Sequence, residues 1–355
     1  MKPLAPQTGP AAVRGIGGTA GRLSGPEGSS LSRGGDASAC PEARPAMRDQ
    51  LLRRMLQPPG PRPIDVVIDT DAFNEVDDQF ALAYLLRHPR RLRLQAIYAA
   101  PFSNEKAASP REGMEKSYQE ILKVLDLAGE AGYRRAVYKG ADHFLSGPSA
   151  PAVSDASQDL VRRAMAHSPE RPLYVLGIAA ATAIASALLR CPEIRDRMVV
   201  VWLGGSAYHR MDQEEFNLIE DLPAAQVLFD SGVPLVQLPC WGVAEHLTVS
   251  RSELERYLLP AGPLCRYLAS NVIREVQSYS SDLCWTKTIW DAAAAAWLLN
   301  DGGRFMEDEL VPAPVPLRAG YAFPAGRHPM RYVRHIRRDA LVSSLFQTLM
   351  GGGDL

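Results

Sequence analysis

The sequence of 355 residues lacks an excess of charge of either sign: 39 Lys and Arg residues stand against 40 Asp and Glu, for a formal net charge of -1. Broad binding to nucleic acid or to an anionic membrane needs a basic surplus, so we expect neither partner. No apolar run approaches the roughly 18 residues that span a bilayer. The first residues also lack the continuous apolar segment of a secretory signal. These absences favour a cytoplasmic protein.

Several signatures of metal and cofactor chemistry are also missing. None of the five cysteines belongs to a CxxC pair, so the sequence predicts neither a zinc site nor a disulfide framework. Gly204-Gly205 lacks the GxGxxG spacing of a dinucleotide-binding loop. No GxSxG sequence is present, which removes the nucleophile elbow of the α/β-hydrolases. The chemistry has to come from other side chains.

The first 46 residues are rich in Gly, Ser and Pro and nearly devoid of aromatic and β-branched side chains. Such a segment buries too little apolar area to offset its chain entropy, so we predict a disordered tail over 1–46. Met47 is an alternative translation start. A transit peptide is less favoured because amphipathic spacing is absent. Residues 47–355 are predicted to form a single domain.

Strand and helix patterns alternate from Ile64 onwards. IDVVID is a short apolar run typical of a buried parallel strand, and VDDQFALAYLL suits a helix that Pro89 closes. The alternation continues through LRLQAIYAA, RPLYVLGI, MVVVWLGG and PLVQLP. This order predicts an α/β fold with a doubly wound, mainly parallel sheet and helices on both faces. Ligands of such sheets bind beyond the carboxyl ends of the strands.

Five acidic side chains crowd the loop after the first strand: Asp69, Asp71, Glu75, Asp77 and Asp78. A solvated surface loop would also tolerate acids near a helix N-terminus. The loop nevertheless leaves the carboxyl end of a buried strand, and carboxylates so close together repel unless a cation lies between them. Oxygen donors without a nearby His or Cys suit calcium or magnesium rather than zinc. We therefore favour a metal site.

A magnesium-dependent phosphohydrolase with Asp69 as nucleophile is one alternative interpretation of the Asp69-Thr70-Asp71 sequence. In such enzymes a Thr or Val usually follows the pair closely, whereas Phe73 and Asn74 stand here. The match is therefore weaker, although this alternative makes its own prediction of phosphate release.

The acidic segment resembles the N-terminal signature of the inosine–uridine preferring nucleoside hydrolase family, in which a strand ends in DxD and a helix opens with a DD pair. Four further stretches resemble later family motifs in the same order over roughly residues 64–300: Ser103-Asn104-Glu105-Lys106, Ala181-Thr182-Ala183, Glu215-Phe216-Asn217 and Trp290-Asp291. Each stretch alone is weak, and their common order carries the resemblance.

The resemblance implies hydrolysis of the N-glycosidic bond of ribonucleosides to free base and ribose by a water that Ca²⁺ holds and Asp71 activates. It also implies a homo-oligomer, since family members are commonly dimers or tetramers. Asp69 would support the loop from behind. The implied calcium ligands are Asp71, Asp78, Asp291 and the backbone oxygen of Thr182, and the implied ribose contacts are Asp77, Asn104, Glu215 and Asn217.

Three departures from the family pattern bear on the substrate. Two extra residues separate DxD from DD, and Ala183 replaces an Asn. Trp290 stands where many members have a His that protonates the leaving base. Stacking on an indole can make a purine a better proton acceptor, so we lean towards purine nucleosides, with plain core packing of Trp290 as the alternative. His209, in the loop before Glu215, is a candidate for the missing acid.

Two remaining predictions concern side chains outside these motifs. We place Trp241 in the core, although it follows a strand and could line the base pocket. RYVRHIRR, residues 331–338, alternates as a solvated edge strand would, and we interpret it as surface. A calcium-dependent nucleoside- or ribose-binding protein without turnover is the alternative from a non-enzymatic class.

Overall fold

A computed structural model describes residues 43–210 and 214–351. The predicted disordered tail lies almost entirely outside these residues and stays a prediction. The strands are β1 (Ile64–Thr70), β2 (Leu92–Ala99), β3 (Val137–Lys139), β4 (Leu173–Gly177), β5 (Met198–Leu203), β6 (Leu235–Leu238), β7 (Thr248–Ser250), β8 (Thr286–Thr288), β9 (Met306–Pro312), β10 (Val315–Leu317), β11 (Gly320–Ala322) and β12 (Pro329–Ile336). The α-helices are α1 (Ala43–Met55), α2 (Asp78–Leu86), α3 (Pro110–Ala128), α4 (Asp155–Met165), α5 (Thr182–Arg190), α6 (Phe216–Glu220), α7 (Leu222–Asp230), α8 (Arg251–Glu253), α9 (Pro263–Tyr279), α10 (Ala292–Trp297) and α11 (Arg338–Leu349).

Eight strands form one sheet in the order β3-β2-β1-β4-β5-β6-β12-β9. Neighbours pair in parallel except for β12 and β9, which are antiparallel. The prediction of a doubly wound, mainly parallel sheet is confirmed. The chain builds outwards in one direction from β1 to β3 and in the other from β4 to β6, and β12 then inserts between β6 and the outermost strand β9. The crevice between β1 and β4 is therefore the switch point at which such sheets bind ligands.

The central strands are apolar because both faces of the sheet are covered. Val66 and Ile68 point into one core with α2, α10 and α11, whereas Val67 points into the other with α4, α5 and α7. Successive side chains of a strand lie on opposite faces, so a continuous run such as IDVVID is what a doubly covered strand requires. Among the described helices, none has the length and apolar character needed to cross a membrane.

Helix boundaries follow local capping chemistry. Ser109 precedes Pro110 and accepts a hydrogen bond from the backbone nitrogen of Glu112, which begins α3. Gly129 ends that helix in the left-handed region at φ 76°, where its backbone nitrogen bonds back to Asp126 and Leu125.

The interpretation of residues 331–338 as a solvated edge strand was wrong. Most of this stretch lies in β12, which is an interior strand between β6 and β9. Arg331 is buried there, where its guanidinium pairs with Asp308 on β9 and donates to the backbone oxygen of Leu56. A charged residue can occupy an inner strand when a partner neutralises it, and the alternating pattern alone does not reveal that partner.

Candidate active site

An open cavity lies at the switch point, beyond the carboxyl ends of β1, β4, β5 and β6. The loop 71–77, the residues that follow β6 and the N-terminus of α10 form most of its walls. Its position agrees with the general rule for ligand sites on open parallel sheets. The lining residues are Asp71, Asn74, Glu75, Asp77, Asp78, Ile178, Leu203, Glu215, Phe216, Asn217, Cys240, Trp241, Trp290 and Asp291.

Three buried carboxylates from two helix N-termini converge in this cavity. Asp77 and Asp78 begin α2, and Asp291 precedes α10. One oxygen from each carboxylate lies within 4.8 Å of the others, and each residue is at most 5% exposed. The backbone nitrogen of Asp291 donates to Oδ2 of Asp77 at 3.3 Å. Within the described residues, the buried Oδ1 of Asp77 has no hydrogen-bond partner.

Burial makes it costly for these acids to ionise together. It raises the pKa of Asp77 to about 8, with help from the charges of Glu75 and Asp78. Burial likewise raises the pKa of Asp78 to about 6, although a hydrogen bond from Thr70 at 2.5 Å opposes the shift. The pKa of Asp291 is raised well above its ordinary value by burial and then by the neighbouring aspartates. A cation among these carboxylates would lower their pKa values and favour their ionised forms.

A hard divalent cation fits this donor set. The converging donors are carboxylate oxygens, and no histidine lines the cavity among the described residues. Calcium and magnesium prefer such oxygen ligands, whereas zinc prefers nitrogen and sulfur. The unpartnered oxygen of Asp77 is a buried acceptor that a cation would satisfy. Asp77, Asp78 and Asp291 are thus a candidate metal centre.

Asp71 lines the cavity beside this centre. Its Oδ2 accepts a hydrogen bond from Nδ2 of Asn74 at 2.9 Å, and its backbone oxygen accepts one from the backbone nitrogen of Asn74 at 2.7 Å. Burial raises the pKa of Asp71 well above its ordinary value, and the charges of Asp78 and Glu220 add to the shift. A carboxylate with a raised pKa can accept a proton near neutral pH, as a general base must.

The opposite wall is shaped by the Glu215 carboxylate. It accepts hydrogen bonds from the backbone nitrogens of Gly205, Asn217 and Leu218 and from the thiol of Cys240. Gly205 has φ +74°, and a Cβ there would lie 1.9 Å from the hydroxyl oxygen of Tyr321, so the close approach requires glycine. These bonds fix the turn that presents Asn217, whose Nδ2 donates to the backbone oxygen of Leu203 at 3.1 Å.

Comparison with known proteins identifies the family. The family model described as inosine-uridine preferring nucleoside hydrolase matches residues 66–339, which is most of the chain and includes every element that lines the cavity. The chain belongs to this family. The expectations of a nucleoside-hydrolase fold and of an N-glycosyl hydrolase are thereby confirmed.

Individual relatives are distant. The pyrimidine-specific ribonucleoside hydrolase RihA of Salmonella typhimurium is 24% identical over 256 residues, which cover 67% of this chain and 80% of that protein. The purine-preferring ribonucleoside hydrolase from Gardnerella vaginalis has a TM-score of 0.65 at 18% identity and covers 81% of this chain and 98% of its own. The type III effector protein XopQ, solved with adenosine diphosphate ribose, has a TM-score of 0.56 at 16% identity, with coverages of 86% and 98%. These two structures are similar in fold.

Most of the residues that the nucleoside hydrolase resemblance singled out come together. Of the implied ligands and ribose contacts, six line the cavity along with Trp290: Asp71, Asp77, Asp78, Glu215, Asn217 and Asp291. The closest group of carboxylates contains Asp77 where the resemblance implied Asp71. The assignment of individual ligands stays a prediction.

Four other predicted residues do not line the cavity. Thr182 is the first residue of α5; its hydroxyl donates to Asp221 and its backbone oxygen accepts from the hydroxyl of Ser186. Asn104 does not reach the cavity; its side chain donates a hydrogen bond to Asn74, which does line it. His209 is exposed. Asp69 is buried and its side chain has no hydrogen-bond partner in the described chain, so its support of the loop stays a prediction.

Placing Trp241 in the core was wrong. It is half-buried and lines the cavity beside Trp290, with ring centroids 5.2 Å apart and an angle of 69° between the planes. Both predictions for Trp290, core packing and a place beside the base, agree with its position, because it packs against the core and also lines the cavity. The position of Trp241 just after β6 was the available signal, since parallel strands end at the site.

Two charged residues near the site, Lys287 and Glu220, belong to none of the motifs that the sequence indicated. Nζ of Lys287 lies 2.6 Å from the carboxylate of Glu75; burial opposes its charge, but Glu75 and Asp77 hold its pKa above the ordinary value. Glu220 follows the Glu215–Asn217 turn, and burial raises its pKa to about 8. Lys287 and Glu220 each lie a few residues from a recognised motif. Sequence spacing alone does not show that Lys287 faces Glu75 and Asp77 or that the charge of Glu220 acts on Asp71.

Proposed function

We propose that this protein hydrolyses the N-glycosidic bond of ribonucleosides, with a preference for purines and with Ca²⁺ as its metal. The observation that carries the proposal is the single cavity that unites the carboxylates of Asp71, Asp77, Asp78 and Asp291 with the Glu215–Asn217 turn and two indole rings. Such a cavity offers a cation site, a base, polar groups for a sugar and a flat apolar surface. Those are the parts that removal of a base from ribose requires.

Asp71 is the general base of the proposed reaction. Water adds its oxygen to C1′ of the ribose and gives a proton to the Asp71 carboxylate, while the bond from C1′ to the base nitrogen breaks with its electron pair on the base. The nitrogen then takes up a proton, and Asp71 returns its own proton to solvent. Positive charge develops on the ribose in the transition state, and the surrounding carboxylates stabilise it.

Asp71, Asp78 and Asp291 would hold the cation as the resemblance implies, and Asp78 and Asp291 also belong to the observed cluster. A calcium ion there would supply positive charge that orients water and ribose hydroxyls and lowers the pKa of the water. Asp77 and Asn217 remain the proposed ribose contacts. Glu215 already accepts four hydrogen bonds, so we infer that it acts by holding the turn of Asn217.

The purine preference is supported by the indole pair. Trp241 and Trp290 give the cavity two fused-ring surfaces, which match the fused rings of a purine. No described histidine lines the cavity, so activation of the leaving base by stacking gains weight, and His209 as its acid stays a prediction. The names of the relatives point both ways, because RihA is named pyrimidine-specific and the Gardnerella enzyme purine-preferring.

Replacing either indole should weaken purine binding. We expect Trp290→Ala and Trp241→Ala to raise KM for inosine and adenosine by roughly 5- to 150-fold, the usual value of one base-stacking aromatic. The smaller ring of uridine should lose less. Steady-state kinetics on purine and pyrimidine nucleosides measure the difference.

Trp285→Ala is the matched control, because Trp285 packs against the same core without lining the cavity. Its KM values should stay within about twofold of wild type, since it removes no stacking surface. An equal rise of KM for uridine and inosine in the two cavity variants would contradict the purine preference.

Ribose release tests the function itself. Wild type should release ribose from purine nucleosides in a calcium-dependent manner, with uridine, cytidine and ADP-ribose as further members of the panel. Saturable, calcium-dependent nucleoside binding without product would instead favour the non-catalytic binding protein. Release of phosphate from phosphate esters would favour the phosphohydrolase, but Asp69, its nucleophile, does not line the cavity.

The cellular setting and the assembly are carried forward as predictions. The resemblance implies a dimer or tetramer, which light scattering on the purified protein measures directly, and the cytoplasmic setting is the prediction made from composition.

A further inference from the structure

The loop 71–77, which carries the two extra residues, is joined to the neighbouring strand end by a chain of amides. Nδ2 of Asn104 donates to Oδ1 of Asn74 at 2.7 Å, and Nδ2 of Asn74 donates to Oδ2 of Asp71 at 2.9 Å. At the outer end, Oδ1 of Asn104 accepts from the backbone nitrogen of Lys106 at 2.8 Å. The chain therefore runs from a backbone amide to the proposed general base.

The direction of this chain is fixed by its outer end. A backbone N–H can only donate, so the side of Asn104 that faces Lys106 has to be its oxygen. The amide nitrogen of Asn104 then faces Asn74, which must present its own oxygen there. That leaves the nitrogen of Asn74 for Asp71. The hydrogen-bond pattern thus assigns both amides, whose O and N atoms are otherwise hard to tell apart.

Ion pairs hold the same loop from outside. Nζ of Lys106 donates to the backbone oxygen of Asn74 at 2.7 Å and lies 3.2 Å from Glu275 on α9. Glu275 lies 3.8 Å from Lys287, which in turn pairs with Glu75 at 2.6 Å. Opposite charges alternate along this network, and Lys287 is only 15% exposed at its side chain. A partly buried network resists screening better than a single surface pair.

We propose that Asn104 and Asn74 are positioning residues that hold the carboxylate of Asp71, and that Asn104 does not bind ribose. Asn104 does not line the cavity, and both ends of its amide are engaged. Because Asn74 holds Oδ2 of Asp71, the other oxygen is the one available to accept a proton. This inference rests on the proposed function, in which Asp71 is the base and a calcium ligand.

A double-mutant cycle tests the connection. Asn74→Ala should lower kcat by about 10- to 100-fold, the usual effect of losing a hydrogen bond to a charged group, while KM for inosine stays within about twofold. Asn104→Ala should lower kcat in the same way but less. In the Asn74→Ala background, Asn104→Ala should have no further effect, because the chain is already broken. A ribose contact at Asn104 would instead raise KM in both backgrounds, which would overturn the proposal.

Asn104→Asp tests whether the direction of the hydrogen bonds matters or only the size of the side chain. The substitution keeps the size of the side chain but offers oxygen to both neighbours, so Asn74 must turn its oxygen towards Asp71. We expect a loss of kcat at least as large as that of Asn104→Ala. A nearly wild-type kcat for Asn104→Asp would show that only the volume matters and would overturn the assignment.

Calcium titration calorimetry of the metal-free variants gives a readout that does not need turnover. Asn74→Ala and Asn104→Ala should bind Ca²⁺ more weakly than wild type. The control Asn271→Ala should not, because Asn271 accepts a hydrogen bond from Arg274 and takes no part in the row of amides that leads to Asp71. Unchanged calcium affinity in both variants would overturn the proposal. If wild type releases no ribose, the proposed function fails separately, and the titration still decides the positioning role.

Discussion

Asp71→Ala is expected to remove nearly all ribose release while leaving the protein folded. General-base assistance is worth roughly 10²- to 10⁴-fold, and the same change removes a proposed calcium ligand. The loss should appear in kcat, measured at saturating calcium and inosine. Because Asp71 is buried at a raised pKa, its removal relieves a destabilising group, so the melting temperature of the metal-free protein should not fall.

Asp65→Ala is a matched control on the same strand. Asp65 lies near the amino end of β1, where it pairs with Arg93 and accepts from Gln95, far from the cavity lining. Its kcat should stay within about twofold of wild type because an exposed ion pair contributes little. If Asp71→Ala keeps more than a tenth of the activity, another group acts as the base and the proposed mechanism fails.

The sequence was sufficient for the inner part of the fold. Continuous apolar runs such as that of β1 can be stable only when both faces are covered, and strand–helix alternation then allows few topologies. The strands of the C-terminal part were harder to predict from the sequence pattern. The pattern around Arg331 alternates like an edge strand, and its interior place depends on an ion pair with Asp308, which belongs to a strand that the pattern did not predict.

The site was predictable wherever its residues follow strand ends or begin helices. Asp71, Asp77 and Asp78 share one loop, and the topology brings Asp291 to them from far along the chain. The interactions that join separate segments were not predictable from one sequence. Lys287 meets Glu75 across more than 200 residues, and Asn104 faces Asn74 rather than the cavity, because side-chain direction depends on tertiary packing.

Removal of calcium should abolish ribose release and lower the melting temperature, and both should return when calcium is added back. A ligand present at 100 times its Kd stabilises a protein by about 2.7 kcal/mol. For a folded domain of this size, whose unfolding entropy is about 0.65 kcal/mol/K, that corresponds to about 4 °C. Differential scanning calorimetry with a chelator and with excess calcium measures the difference.

The difference should widen as pH rises from 5 to 8.5. Without a cation, the pKa values of Asp78 and Asp77 are raised to about 6 and about 8, above the ordinary value of about 3.9. Stability from such groups is complete below the ordinary pKa and is lost as pH rises through 6 and then 8. Calcium binds the ionised carboxylates, so its binding strengthens over the same range. The metal-free protein therefore loses stability while the loaded protein keeps it.

Two buried acids outside the cluster change the absolute melting temperatures but not the direction of this difference. Asp69 and Glu220 also have pKa values raised to about 8 by burial, and neither lines the cavity. Their burial destabilises the loaded and the stripped protein alike, so subtraction removes that part. The charge of Glu220 also acts on Asp71, and calcium held there would relieve this repulsion, which widens the difference further at high pH. Asp291→Asn, which keeps the shape but removes a ligand charge, should shrink both the difference and its pH dependence. A calcium effect that is independent of pH, or that survives in Asp291→Asn unchanged, would place the cation away from this cluster.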